Sequence, residues 1–97
     1  MPIVMMMEWD GITAAQYDHV RKIVNWEGNR AKGGLFHVAA ITPKGLRVTD
    51  LWDSAEDFNS FVENRLMPGV AQAKIAGQPR VEIFPTHAIS TPGYQKI

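Results

Sequence analysis

The stretch Leu46–Pro68, LRVTDLWDSAEDFNSFVENRLMP, decides how this chain folds. Leu46–Trp52 is rich in β-branched and large apolar residues and reads as a strand. Asp53 and Ser54 offer overlapping helix caps, because Glu56 follows the first and Asp57 the second at the capping-box distance. Ala55, Phe58, Phe61, Val62 and Leu66 then recur at three- and four-residue intervals, which puts them on one helical face. Pro68 bends or ends that helix, since its ring clashes with the preceding turn. A strand feeding an amphipathic helix with no linker lays the aromatic face of the helix back on its own sheet.

Upstream, Pro43-Lys44-Gly45 is a connection of hairpin length, so a strand over Leu35–Thr42 pairs antiparallel with Leu46–Trp52. Before it lies a polar loop, Asn25–Gly34, with Trp26 stranded inside it. A first strand covers Ile3–Trp9, Asp10-Gly11 turns the chain, and Thr13 caps a first helix with Gln16 at the reciprocal position. Tyr17, Val20, Ile23 and Val24 form the buried stripe of that helix, while His19, Arg21 and Lys22 face outward. Downstream, a short helical piece Gly69–Ile75 runs to a stop at Gly77, and Pro79 introduces a last strand, Arg80–Phe84. Residues 85–97 form an extended tail of one 97-residue domain.

The order βαββαβ is the ferredoxin-like arrangement: a four-stranded antiparallel sheet with two helices on one face. That α+β design leaves the second sheet face bare. Yet Ile3, Met5, Met7 and Trp9 point one way in the first strand while Val4 and Met6 point the other. In the second strand Leu35, Ala39 and Ile41 oppose Phe36, Val38 and Ala40. Both faces want burial, and a second copy of the chain is expected to cover the open one, giving a homodimer of facing sheets.

Composition narrows the function classes. Ten acidic and ten basic residues leave no net charge, which speaks against nucleic acid or an anionic membrane as partner. An RNA-recognition module of the same element order would need exposed aromatics on its third strand in a basic setting, and Arg47–Trp52 supplies no such row. The absence of cysteine excludes disulfides and thiolate chemistry. MPIVMMMEWD has neither a basic start nor an apolar run long enough for a signal peptide or membrane span, so a cytoplasmic location is expected.

The run Asp50-Leu51-Trp52-Asp53-Ser54-x-Glu56-Asp57-Phe58-x-x-Phe61 is similar to the signature of the dimeric α/β-barrel, or antibiotic-biosynthesis-monooxygenase-like, superfamily. The resemblance spans Ile3 to His87 by element order and implies a ferredoxin-like protomer pairing into a barrel, with ligands held between sheet and helices. Its members include cofactor-independent monooxygenases of aromatic polyketides, haem-degrading enzymes, chlorite dismutases, muconolactone-type isomerases and proteins without assigned activity. The haem-degrading branch carries a tryptophan where this chain has Phe61, and a ligating histidine near Ala71, where no histidine is in reach. No haem is therefore expected.

The residues that could do chemistry each have a plain structural reading beside the functional one. His37 interrupts an apolar strand, and Asp50 is the only carboxylate inside another. Across a short hairpin they fall at similar heights, where a histidine beside a buried carboxylate makes a general base or proton shuttle. The same pair could simply be a satisfied polar contact, joined with Arg47 and Glu82 in a buried ionic network. Trp52, Phe58, Phe61 and Met7 could line a flat pocket for an aromatic ligand, or be core. Arg65 could bind an anionic group or complement a helix C-terminus. His19 reads as solvated, and His87 as a surface or interface residue. Three histidines on separate elements lack ligand spacing, and no glycine loop opens a helix after a strand, so neither metal nor nucleotide cofactor is expected. Two functions remain level: a cofactor-independent monooxygenase- or isomerase-like enzyme of a hydrophobic aromatic metabolite, and a non-catalytic homodimer that binds a small ligand or has a structural role.

Overall fold

A computed structural model describes residues 2–94. Its strands are β1 (Ile3–Asp10), β2 (Gly34–Thr42), β3 (Gly45–Trp52) and β4 (Arg80–Pro85), joined antiparallel in the order β2-β3-β1-β4. Helix α1 (Ala14–Val24) lies between β1 and β2, and a second helical stretch lies between β3 and β4. This is the ferredoxin-like order. The β2–β3 hairpin closes at Thr42↔Gly45, where Gly45 sits at φ +132°. A Cβ there would meet the Trp9 carbonyl at 2.5 Å and the Gly11 amide nitrogen at 2.6 Å, so only glycine lets β1 and the hairpin come this close.

Helix starts follow their side chains. Thr13 and Gln16 form the reciprocal capping box of α1. At the second helix Ser54 is the cap, accepting from the Asp57 amide at 3.1 Å. The helix end differs from the sequence expectation, because Pro68 neither ends the helix nor separates a piece that runs to Ile75. Helix α2 (Ala55–Phe61) passes into a π-helical turn, Val62–Leu66, and on into α3 (Met67–Gln72), with helical dihedrals at both junctions. The wide turn lets the Met67 amide reach back five residues to the Val62 carbonyl. Pro68 follows in the first turn after the π turn, so the one backbone bond its missing N–H removes falls where the helical winding already changes.

The layer between sheet and helices is the core. Met5, Met7 and Trp9 of β1, Leu46, Val48 and Trp52 of β3, Phe58 of α2 and Val70 of α3 are its buried members, with Ile12 and Ala31 from the loops. Trp26, which looked stranded in a polar loop, packs into the same layer against Trp52 and Phe61. The opposite sheet face carries Val4 and Met6, Phe36 and Val38, Thr49 and Leu51, and Phe84. Here Met6 is 46% exposed, Val38 49% and Phe84 47%. At the far end of that face Arg47 and Arg80 interleave with Glu8 and Asp10 in alternating ion pairs of 3.0 to 3.4 Å. The buried network expected of Arg47 and Glu82 does not form: Arg47 pairs instead with Glu8 and Asp10 on the open face. The tail leaves β4 with the Thr86 amide bonded to the Pro2 carbonyl and reaches the other sheet edge, where Tyr94 packs edge-on against Phe36. The last three residues of that tail lie outside the described residues.

Candidate functional site

Strand pairing sets the site. His37 of β2 lies directly opposite Asp50 of β3, and Asp50 lies opposite Met5 of β1. Both polar side chains point into the helix-covered layer. Asp50, 4% exposed, accepts two hydrogen bonds there: His37 Nδ1 lies 2.6 Å from its Oδ1, and the Trp52 indole Nε1 donates to its Oδ2 at 3.0 Å. With Nδ1–H turned to a carboxylate, His37 Nε2 is the free lone pair. The Tyr17 hydroxyl of α1 donates to it at 2.6 Å. Tyr17, His37, Asp50 and Trp52 thus form one hydrogen-bonded line from the helix layer into the sheet.

The electrostatics fit this line. Burial pushes the Tyr17 hydroxyl above its ordinary value of 10.0, against the opposing pull of the Arg21 guanidinium. At neutral pH Tyr17 is therefore a neutral phenol able to donate. The rings are clamped as well: the Tyr17 and His37 rings lie parallel with centroids 6.1 Å apart, and Trp26 tilts over His37 at 5.3 Å.

Tyr17, His37 and Asp50 lie on the wall of a cavity of about 90 Å³ between sheet and helices. Met5, Met7, Trp9, Val48, Phe58 and Phe61 supply much of its apolar wall. Exposed Gln16 and Arg21 on α1 mark the side on which it meets solvent. The sequence-based candidates divide accordingly. His37 and Asp50 meet, and Met7, Phe58 and Phe61 face the cavity. Trp52 does not line it; fully buried, it stands behind Asp50 and holds the carboxylate by its N–H. Arg65 does not line it either. Its guanidinium donates to the Val24 carbonyl at 2.6 Å and the Asn25 carbonyl at 3.4 Å, capping α1, and lies over the Phe61 ring at 5.4 Å. The electrostatic reading of Arg65 holds in form, but the helix end it complements is that of α1. His19 and His87 are exposed.

Tyr17 and Trp26 were missed as site residues. Tyr17 was visible as a member of the α1 stripe, and its phenol was the one hydroxyl on that face. Nothing local marks Trp26, whose packing depends on how its loop folds back. Among the described residues no group of histidine, aspartate and glutamate is placed to hold a metal ion.

No protein-family model and no curated protein sequence matches the chain. Solved structures match it along nearly its whole length. A protein of unknown function from Nitrosomonas europaea superposes with a TM-score of 0.68 at 14% identity, covering 96% of each chain. A variant of SnoaB, a cofactor-independent oxygenase from Streptomyces nogalater, gives 0.61 at 10% identity, covering 96% of this chain and 98% of that one. A Streptomyces coelicolor monooxygenase in complex with nanaomycin D gives 0.57 at 12% identity, covering 95% and 92%. The fold is that of the antibiotic-biosynthesis-monooxygenase-like proteins. At these identities the likeness speaks for the fold alone.

Proposed function

We propose that this chain is a cofactor-independent, monooxygenase-like enzyme of a hydrophobic aromatic metabolite, with Tyr17, His37 and Asp50 as its proton relay. The observation that carries the reading is the unbroken line Tyr17 Oη–His37 Nε2, His37 Nδ1–Asp50 Oδ1, Asp50 Oδ2–Trp52 Nε1 on the wall of an apolar cavity. It has the hydroxyl–imidazole–carboxylate order of a nucleophile triad, with a phenol in place of the alcohol. A substrate proton passes to Tyr17 Oη as the phenol proton moves to His37 Nε2. The Asp50 carboxylate stabilises the imidazolium that forms, and the Trp52 N–H fixes that carboxylate. The electron-rich anion left in the apolar cavity then reduces dioxygen. In the balanced reaction a ring methylene becomes a carbonyl with one oxygen atom, and the other leaves as water. The cofactor-independent oxygenase among the fold neighbours supports this direction.

Oxygen uptake with anthrone as the probe tests the reading. Tyr17→Phe keeps the ring and removes the relay hydroxyl, so turnover should fall on the order of a hundredfold or more while circular dichroism stays unchanged. Turnover equal to that of the unaltered chain overturns the relay.

We infer also that a second copy covers the open sheet face. Exposed Met6, Val38 and Phe84 make one apolar area beside the Arg47–Glu8–Arg80–Asp10 ring. Sedimentation at micromolar concentration should give twice the chain mass.

A further inference from the structure

Hydrogen bonds fix the His37 imidazole at its two nitrogens: Tyr17 meets Nε2 and Asp50 meets Nδ1. They do not shelter it. His37 stands on the edge strand β2, and its side chain keeps 20% of its surface where that of Asp50 keeps 5%. A proton on an imidazole open to water is lost to solvent as readily as it is passed along the line. The cover over the ring comes from Trp26, whose centroid lies 5.3 Å from that of His37 at a tilt of 45°.

Trp26 belongs to the loop after α1, and that loop is tied down on both sides of it. Asn25 turns the chain in the left-handed region at φ +57°. Arg65 takes the carbonyls of Val24 and Asn25, Glu27 pairs with Arg21 of α1, and Arg30 Nε donates to the Gly34 carbonyl at 2.8 Å. The indole itself is seated edge-on against Trp52 at 5.7 Å and Phe61 at 5.6 Å. Gly34 completes the seat. Its backbone lies outside the left-handed region, so conformation does not call for glycine there. Space does: a Cβ would lie 2.9 Å from Cη2 at the far end of the Trp26 ring, closer than two carbon atoms pack.

We propose that Trp26 is the positioning residue of this relay. It holds the His37 ring between Tyr17 and Asp50 and keeps water from the proton in transit. The proposal rests on the relay reading above and adds the residue that keeps the relay in line. Trp26 transfers no proton; it acts through the imidazole it lies against. Gly34 acts one step further back, because the size of residue 34 sets where the indole can lie.

Proton exchange and turnover, measured on the whole chain, test this. In the unaltered chain the His37 Nδ1 proton, held by the Asp50 carboxylate, should give a far-downfield NMR signal that exchanges slowly with water. Trp26→Leu keeps an apolar side chain and removes the aromatic cover, so that proton should exchange about tenfold faster while circular dichroism stays unchanged. Anthrone turnover should fall about tenfold, and in kcat, because a ring that only lined the cavity would show its loss in KM. Gly34→Ala keeps Trp26 but displaces its ring, so it should reproduce both effects. Trp26→Phe, with a shorter ring that clears the added methyl, should suppress the effect of Gly34→Ala in the double variant. General loss of stability produces no such suppression, and the Gly34 pair decides the matter where Trp26→Leu does not fold. Unchanged exchange in Trp26→Leu and Gly34→Ala, or faster exchange with unchanged kcat, overturns the proposal. So does a double variant as impaired as Gly34→Ala alone, or the lack of a slow imidazole proton in the unaltered chain. Failure of the unaltered chain to oxidise anthrone overturns the oxygenase reading instead, and the exchange comparison then decides by itself whether Trp26 holds the imidazole.

Discussion

At the scale of single residues the decisive group is Asp50. Its two oxygens accept from two different N–H donors, His37 Nδ1 and Trp52 Nε1. An asparagine has one acceptor oxygen and one amide donor, so Asp50→Asn must leave one of the two N–H groups facing another donor. The variant should lose on the order of 1–3 kcal/mol in chemical denaturation. The nitrogen NMR signals of His37 should change with it, because the carboxylate is what holds the proton on Nδ1. Unchanged imidazole signals would mean that the two side chains do not meet in solution. Tyr17 gives a pH prediction. Its hydroxyl is shifted upward by burial, so the fold favours the protonated phenol. That contribution to stability is whole below its ordinary value of 10.0 and is lost as the pH rises through the shifted one. Ultraviolet difference titration should show one late phenolate step that is missing from Tyr17→Phe.

At the scale of elements, the helix after β3 does two separate jobs. Its α2 segment brings Phe58 into contact with Trp52, ring centroids 5.6 Å apart, and fills the core. Truncation to Ala there should cost about 3–5 kcal/mol, read as a large fall in melting temperature. Phe61, only half-buried at the cavity wall, should cost less and change ligand affinity more. The π-helical turn places Arg65 on the carbonyls that end α1, which ties the two helices across the layer. Arg65→Gln should lower stability by about 1 kcal/mol and leave ligand affinity unchanged, a result that separates helix capping from ligand binding. A clear loss of affinity with unchanged stability would return Arg65 to the site.

At the scale of the whole molecule, one sheet serves two layers of unequal completeness. The helix-covered side is closed by aromatic and methionine side chains, whereas the other side leaves Met6, Val38 and Phe84 in solvent. Met6 is central to that open face, between Thr49 and Glu82 on the neighbouring strands. Met6→Asp removes no core contact, so it should leave the protomer folded while shifting sedimentation toward the single-chain mass. If the chain sediments at that mass without any substitution, the facing-sheet dimer is wrong. Among the described residues no helix is long and apolar enough to cross a membrane.

Local sequence was enough for the elements and for half of the site. The apolar run Ile3–Trp9, the Thr13 and Ser54 caps and the short hairpin each act over a few residues, so order and strand pairing could be read directly. The His37–Asp50 contact followed from that register alone. What lay beyond was decided by tertiary packing. Whether Pro68 ends a helix depends on a π turn that costs little once Leu66 and Val70 have a core to enter. Whether Trp26 is solvated depends on a loop closing over Trp52, and whether Arg65 meets a ligand depends on where α1 stops. Tyr17 is an ordinary stripe residue until its helix lies across β2 and brings the phenol to His37. Contacts between side chains far apart in the sequence are set by the three-dimensional fit of whole faces, and no short spacing records them.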